Sequence, residues 1–339
     1  MNGSVSGSAD PVRPTEDALI ARYFAPLAGP GADGLRDDAA SLAPSPGHDL
    51  VLTADAIVSG IHYFPDDPPG SLARKALGVN LSDLAAKGAA PRGFLLTLAL
   101  PADWTEAWLA GFAEGLGEAS RASGCPLLGG DTVRSAGPAL IGVTAIGEVP
   151  AGRIVRRTTA RVGDRIFVSG TVGDAALGLR MRLEPDAGWV RALDAASGAH
   201  LADRYLHPQP RLALADAVLR FATAAMDVSD GLAGDLAKML AGAGATAGID
   251  AAAVPLSPAA ARAVEGRPDL FDVAVTGGDD YEILCTVAPD ACDAFREAAA
   301  AAGVPVSVIG TVAAGGGLPA FRDAGGAARV FAAGAFSHF

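Results

Sequence analysis

A chain of 339 residues, half of them hydrophobic, is long enough to build two domains with their own cores; with aromatics at only 6%, Ala and Gly must do much of the packing. A formal charge of −12 argues against general affinity for nucleic acid or for an anionic membrane. Cys125, Cys285 and Cys292 are the only cysteines and form no CxxC pair, so no disulfide framework is expected and a reducing, cytoplasmic compartment fits.

Residues 1–14 are polar and small and read as a flexible tail without a signal-peptide core. No run approaches the roughly 18 apolar residues of a membrane span. Thr15 can cap a short helix carrying Leu19, Ile20, Tyr23 and Phe24 as its apolar stripe. A glycine- and aspartate-rich loop ends at Asp37-Asp38. Leu50, Val51 and Leu52 read as a buried strand ending at Thr53-Ala54-Asp55. A long helix over 71–88 has Leu72, Ala76 and Val79 on its buried side, and Asn80 and Asp83, three apart, on one face. A strand over 94–100, an amphipathic helix over 103–124 and a strand over 125–128 lead into Gly129-Gly130-Asp131-Thr132, and a β-run follows over 139–149.

The character changes near residues 150–152, where Arg153, Arg156, Arg157 and Arg161 crowd together. The domain boundary is placed there, giving an N-terminal domain over 15–150 and a C-terminal domain over 151–339. Strand 165–169, helix 212–221, a strand into Asp227-Val228-Ser229-Asp230-Gly231 and a helix to Leu240 come next. Residues 274–278 and 281–287 read as two strands around a turn holding Asp279-Asp280, then a helix over 289–303 and a strand over 304–309. Strands alternating with helices in both parts predict a two-domain α/β (α+β) protein.

Acids recur beside these apolar runs: Asp38, Asp55, Asp83, Asp131, Asp227, Asp230 and Asp279. If they converge, hard divalent cations are the natural occupants, Mg²⁺ first; five scattered histidines do not make a zinc site. Two unit charges ~4 Å apart interact by ~4 kcal/mol at an effective dielectric of ~20. A cluster of carboxylates would therefore repel a polyphosphate unless bound cations reversed the field, and the arginines after Gly152 are candidate direct phosphate contacts. P-loop, Rossmann and protein-kinase motifs are absent.

Taken in order, the blocks LIARYF (19–24), DDAA (37–40), TADAIVSGIHY (53–63), KALGVNLSDLAAKGAAP (75–91), LLGGDT (127–132), DVSDGLAGDL (227–236) and GGDDYE (277–282) resemble the thiamine-monophosphate kinase family. That family lies in the superfamily that includes aminoimidazole ribonucleotide synthetase. The resemblance implies transfer of the ATP γ-phosphate to thiamine monophosphate with several Mg²⁺ ions, in a homodimer paired through the N-terminal sheet. By motif position it implies Asp38, Thr53, Ala54 (through its carbonyl only), Asp55, Asp83, Asp131, Asp227 and Asp230 as metal ligands. It likewise implies Gly130, Asp131, Arg157 and Ser229 at ATP, with Arg156 the competitor of Arg157, and His62, Asp279 and a C-terminal aromatic, Phe331 or Phe336, at the thiamine phosphate. The chain departs from the family pattern at Arg36, where Gly is usual, at Ala54, where Thr or Ser is common, and at Asp279, often Glu. The acceptor is itself a phosphate, mostly dianionic at neutral pH, so no general base is assigned. Two other functions stay open at this point: another ATP-dependent ligase of the superfamily, and a Mg-nucleotide-binding protein without turnover.

Overall fold

The computed structural model describes residues 14–323, 325–329 and 331. Two sheets carry the fold. The first holds β1 (His48–Val58), β2 (Ala90–Leu100), β3 (Leu127–Arg134) and β4 (Leu140–Pro150) in the order β1-β4-β2-β3, with β2 and β3 parallel and the other neighbours antiparallel. The second holds β5 (Arg165–Ser169), β6 (Ala222–Asp227), β7 (Ala245–Asp250), β8 (Ile283–Val287), β9 (Val306–Ala314) and β10 (Ala320–Arg322) in the order β10-β7-β9-β5-β8-β6. Between them run helices α1 (Glu16–Leu19), α2 (Pro69–Ala86), α3 (Glu106–Ser123), α4 (Asp174–Leu183), α5 (Gly188–Ala192), α6 (Ala195–Leu206), α7 (Ala215–Phe221), α8 (Leu232–Ala243), α9 (Pro258–Gly266), α10 (Leu270–Thr276) and α11 (Cys292–Ala301). The mixed α/β class expected from the alternating pattern is the one observed.

Strand periodicity divides the first sheet into two unlike faces. Val51, Ile57, Phe94, Leu96, Leu98, Ile141 and Val143 point inward to a core shared with α2 and α3. Trp108 joins that core by stacking on Phe112, ring centroids 5.3 Å apart. The register puts Leu52, Ala54, Leu95, Asp131 and Val133 on the other face. That face stays largely open: Leu52 is 66% exposed, Leu95 38% and Val133 43%.

α2 has no wet side. Leu72, Ala76 and Val79 are buried as expected, but so are Lys75, Asn80 and Ser82. The first sheet takes one flank of the helix and the second sheet the other. Ser82 Oγ donates to the Tyr281 carbonyl at 3.3 Å, and Lys87 Nζ to the Ala225 carbonyl at 2.8 Å. A helix buried all round shows little amphipathic pattern.

Three expectations change. β1 does not stop at Asp55 but runs to Val58, because its antiparallel ladder with β4 continues to Leu140. The apolar run before Asp279 is not a strand; it belongs to α10, whose buried Leu270, Phe271, Ala274 and Val275 recur at helical spacing. A short apolar run alone cannot separate the two states. The stretch between strand 165–169 and helix 212–221, given no element above, holds α5 and α6 among others, the latter capped by Asp194, whose side chain accepts from the Ser197 N–H. Nearly all of the expected tail, and Phe336, lie outside the described residues. No helix among the described residues is long and apolar enough to cross a membrane.

Candidate functional site

The site is built on β1 and α2. Thr53 and Asp55 lie on the inward face of β1, opposite Asn80 and Asp83 of the helix. Thr53 Oγ1 donates to Asp83 Oδ2 at 2.5 Å, and the Asp55 N–H donates to Asn80 Oδ1 at 3.0 Å. Asn80, fully buried, spends its amide on the Ala76 carbonyl at 3.1 Å, so it is a fixed strut between helix and strand. Partial burial, with the charges of Asp83 and Asp230 adding to it, pushes the Asp55 carboxyl above its usual range.

The second sheet contributes through two laced loops. Asp227 ends β6, and the chain beyond it bonds to the segment after α10: Val228 N–H to Glu282 O at 2.8 Å, Asp279 N–H to Ser229 O at 2.9 Å, Tyr281 N–H to Val228 O at 2.8 Å. The lacing is tight enough that a Cβ at Gly278 would sit 2.4 Å from the Ser229 carbonyl oxygen. Asp279 (φ 75) and Tyr281 (φ 53) are non-glycine residues held in left-handed geometry. Such conformations cost on the order of 1 kcal/mol each and persist where the surroundings over-determine them. Glu282 anchors the segment from below, buried between Arg204 (3.0 Å), Arg211 (2.5 Å) and Ser169 Oγ (2.6 Å).

Asp227 is buried against Asp83. Burial first, and the Asp83 charge second, push its carboxyl up to about 8, with the Ser82 hydroxyl and the Lys87 ammonium pulling the other way. Lys87 is buried in turn and its ammonium is pushed down; Asp227 and Asp83 oppose that shift, while Arg157 and Arg156 add to it. Both arginines thus stand within electrostatic reach of Lys87, which itself faces Asp227 and Asp83. Asp230 is ion-paired with Lys238, which also reaches Asp235 at 3.0 Å.

These parts face a cleft of about 490 Å³ lined by Asp55, His62, Ser229, Asp230, Asp279 and Tyr281 together with apolar side chains of both halves. The backbone N–H of Val58 donates to His62 Nδ1 at 3.0 Å, so the neutral ring carries its proton on Nε2. Lys75, buried at the back, donates to Asp279 Oδ2 at 2.6 Å and to the carbonyls of His62 and Tyr205 at 3.2 Å each.

Two of the expected ligands stand elsewhere. Asp38 and Asp131 line a second cavity of about 590 Å³ with Asp37, Gly130 and Leu95. Asp131 pairs in register with Thr97 on the open face of the sheet, whereas Asp55 is in register with Val143 and Leu96 on the covered face. Three strand spacings, ~14 Å, separate the two strands. The expectation that all the acids gather within one chain is therefore corrected: Asp55, Asp83, Asp227 and Asp230 gather, and Asp38 and Asp131 form a separate pair. Gly130 (φ 153) is required where it stands, since a Cβ there would lie 1.9 Å from the Leu96 carbonyl oxygen. The Ala54 methyl lies on the open face, so only its carbonyl is available as a donor. Phe331 does not line the cleft; it packs on the C-terminal core against Phe321, centroids 5.1 Å apart.

Lys75, Lys87 and Tyr281 were missed in the sequence. They lie in apolar surroundings or in a turn, and only the tertiary packing brings them to the acids.

The donor set suits a hard cation: carboxylates and hydroxyls, no sulfur, with Asp55 and Asp227 held above the usual carboxylate range by burial first and by neighbouring acids second. Among the described residues no three acidic, His or Cys side chains enclose a single ion. That spread fits Mg²⁺, which keeps waters and takes one or two carboxylates along with substrate phosphates, better than a closed protein cage.

The sequence matches two family profiles, AIR synthase related protein, N-terminal domain, over residues 36–149 and AIR synthase related protein, C-terminal domain, over 161–321. It is 44% identical over 313 residues to a thiamine-monophosphate kinase of Caulobacter vibrioides, covering 91% of this chain and 87% of that protein. The crystal structure of thiamine-monophosphate kinase from Stenotrophomonas maltophilia superposes with a TM-score of 0.77 at 40% identity, over 86% of this chain and 91% of that one. A structure of AaThiL complexed with AMPPCP and TMP superposes with a TM-score of 0.76 at 29% identity, over 89% of this chain and 91% of that one. With its two sheets, its laced acidic loops and these likenesses over nearly the whole chain, the protein belongs to the AIR synthase-related proteins and, within them, to the thiamine-monophosphate kinase family of enzymes.

Proposed function

We propose that the chain transfers the γ-phosphoryl group of ATP to the phosphate of thiamine monophosphate, giving thiamine diphosphate and ADP, with Mg²⁺ at the acids. The observation that carries this reading is the cleft: Asp55 and Asp230 converge on it from opposite halves, with Asp83 and Asp227 behind them. Asp55, Asp83, Asp227 and Asp230 would hold the ions, with Thr53 orienting Asp83. When bound, Mg²⁺ supplies charge neutralisation between donor and acceptor phosphates. The chain's own task is positioning. Asn80 fixes β1 against α2, the laced loops fix Asp230 and Asp279, and the cleft walls limit water. His62 lines the cleft on the acceptor side, and Arg156 or Arg157 approaches from the Lys87 side. No side chain need remove a proton, because the acceptor is already an anion.

A second copy of the chain completes the arrangement. β1 and β3 are the two edges of the first sheet, and its open face exposes Leu52, Leu95 and Val133. Two copies closing edge to edge, with β1 beside the partner subunit's β3, would bury Leu52, Leu95 and Val133 and remove both edges. The same closure carries Asp38 and Asp131 of each subunit toward the Asp55 of its partner. The free, buried thiols of Cys125, Cys285 and Cys292 accord with a cytoplasmic setting.

The test is direct. Purified protein with ATP, thiamine monophosphate and Mg²⁺ should yield thiamine diphosphate and ADP in equal amounts. ATP consumption without thiamine diphosphate, or no turnover at all in excess Mg²⁺, would overturn the assignment.

A further inference from the structure

We propose that Ile61 and Leu183 act as apolar jaws, one from each half of the chain, that grip the heteroaromatic ring of the phosphorylated acceptor. This rests on the phosphoryl-transfer reading above and adds to it the part of the cleft that reads the acceptor's ring.

Both side chains line the 490 Å³ cleft. Ile61 is 63% exposed and Leu183 60%. Single exposed apolar residues are ordinary. Two that open on the same cavity, with Ile57, Val79, Leu179 and Val273 beside them, give that cavity an apolar wall to set against its carboxylates. An occupant matching both walls has an anionic group at one end and an uncharged flat ring at the other. Ions bound to carboxylates read the phosphate by charge alone, so discrimination among phosphorylated acceptors falls to the apolar wall.

The backbone imposes these exposures. Ile61 sits in a closed turn: its N–H and that of His62 donate to the Val58 carbonyl at 3.1 and 2.9 Å, and the Gly60 N–H donates to Tyr63 O at 2.8 Å. Leu183 is the last residue of α4, and the residue before it is latched to the other half. The Arg182 guanidinium lies 4.0 Å from the Phe64 ring centroid and is ion-paired with Asp67. Phe64 meets Tyr205 edge-on at 6.0 Å. The segment 64–67 follows directly on the Ile61 turn, so the latch sets the spacing of the jaws before a ligand arrives, which reduces the ordering cost of binding. The nucleotide is the less suitable occupant. Gly130 and Asp131, expected at ATP, line the other cavity, while this one carries His62 and Asp279, expected at the acceptor, and of the residues expected at ATP only Ser229.

The experiment is steady-state kinetics on Ile61→Ala, Leu183→Ala and the double variant, with thermal unfolding to confirm folding. The expected result is a rise in KM for thiamine monophosphate of about tenfold for each single variant and about a hundredfold for the double, as loss of a buried aliphatic contact predicts. kcat and the KM for ATP should stay within about twofold. Leu183→Met, which keeps the apolar volume, should remain close to the unaltered chain. An unchanged KM for thiamine monophosphate in variants that still turn over would overturn the jaws alone, and so would a rise in the KM for ATP instead. Absence of thiamine diphosphate with the unaltered chain would overturn the functional reading, and this inference with it.

Discussion

The Lys75 ammonium lies 2.6 Å from Asp279 Oδ2 and 4.3 Å from the centroid of the Tyr205 ring, a buried cation from α2 held by groups of the other half of the molecule. The side chain of Lys75 is only 2% exposed, so removing it would leave a carboxylate and two carbonyls without their donor. Lys75→Met should destabilise the protein by about 2 kcal/mol, below the usual cost of breaking a fully buried pair because Asp279 is partly open to the cleft. Equilibrium unfolding in urea measures this, and a loss under about 0.5 kcal/mol would show that the pair is dispensable.

Asp227 lies buried near Asp83, and burial first and the Asp83 charge second hold its carboxyl above the usual range. Asp227→Asn removes a buried carboxyl whose ionisation both effects oppose. The metal-free variant should unfold at a higher temperature than the unaltered chain, by the equivalent of about 1 kcal/mol. The unaltered chain should be stabilised by millimolar Mg²⁺, and the variant much less, because ligand binding to the folded state is what raises its melting point. Differential scanning calorimetry with and without Mg²⁺ reads both effects, and equal Mg²⁺ shifts in the two proteins would remove Asp227 from the set of ligands.

Asp55→Asn and Asp131→Asn should each lower turnover by at least about a hundredfold while leaving the fold intact, as loss of a charge that orders the transition state does. If each site draws Asp55 from one subunit and Asp131 from the other, mixing the two inactive variants under subunit exchange should recover activity, since one of the two sites in a mixed dimer is whole. No recovery, with exchange shown by mass, would place both carboxylates' roles within one subunit.

Chelation should abolish turnover, and Mg²⁺ added back should restore it. Ca²⁺, larger and satisfied by looser geometry, should bind and compete while supporting little reaction. Full activity in excess chelator would mean the acids serve some other purpose.

Much of this was legible because acids beside apolar runs are unusual enough to notice. Asn80 and Asp83 were placed on one helix face by their spacing alone, and both do meet β1. The sequence could not tell which sheet face a strand acid occupies relative to its neighbours. That depends on register, and one residue's difference puts Asp131 on the face opposite Asp55. Nor could local pattern find Lys75, whose three acceptors come from residues 62, 205 and 279. The apolar residues of α10 were mistaken for a strand because three hydrophobic positions in a row carry no period. Phe331 is a candidate only through the family resemblance, as a C-terminal aromatic; its ring contact with Phe321 accounts for its aromatic character as packing.

The placement of α2 has a mechanical corollary. A helix wrapped on nearly every flank is common property, and neither sheet owns it. A cut between β4 and β5 would strand Lys75, Ser82 and Lys87 facing water in the N-terminal fragment and deprive the C-terminal fragment of the surface on which its loops rest. The chain should therefore melt in one transition, and neither fragment should fold without the other.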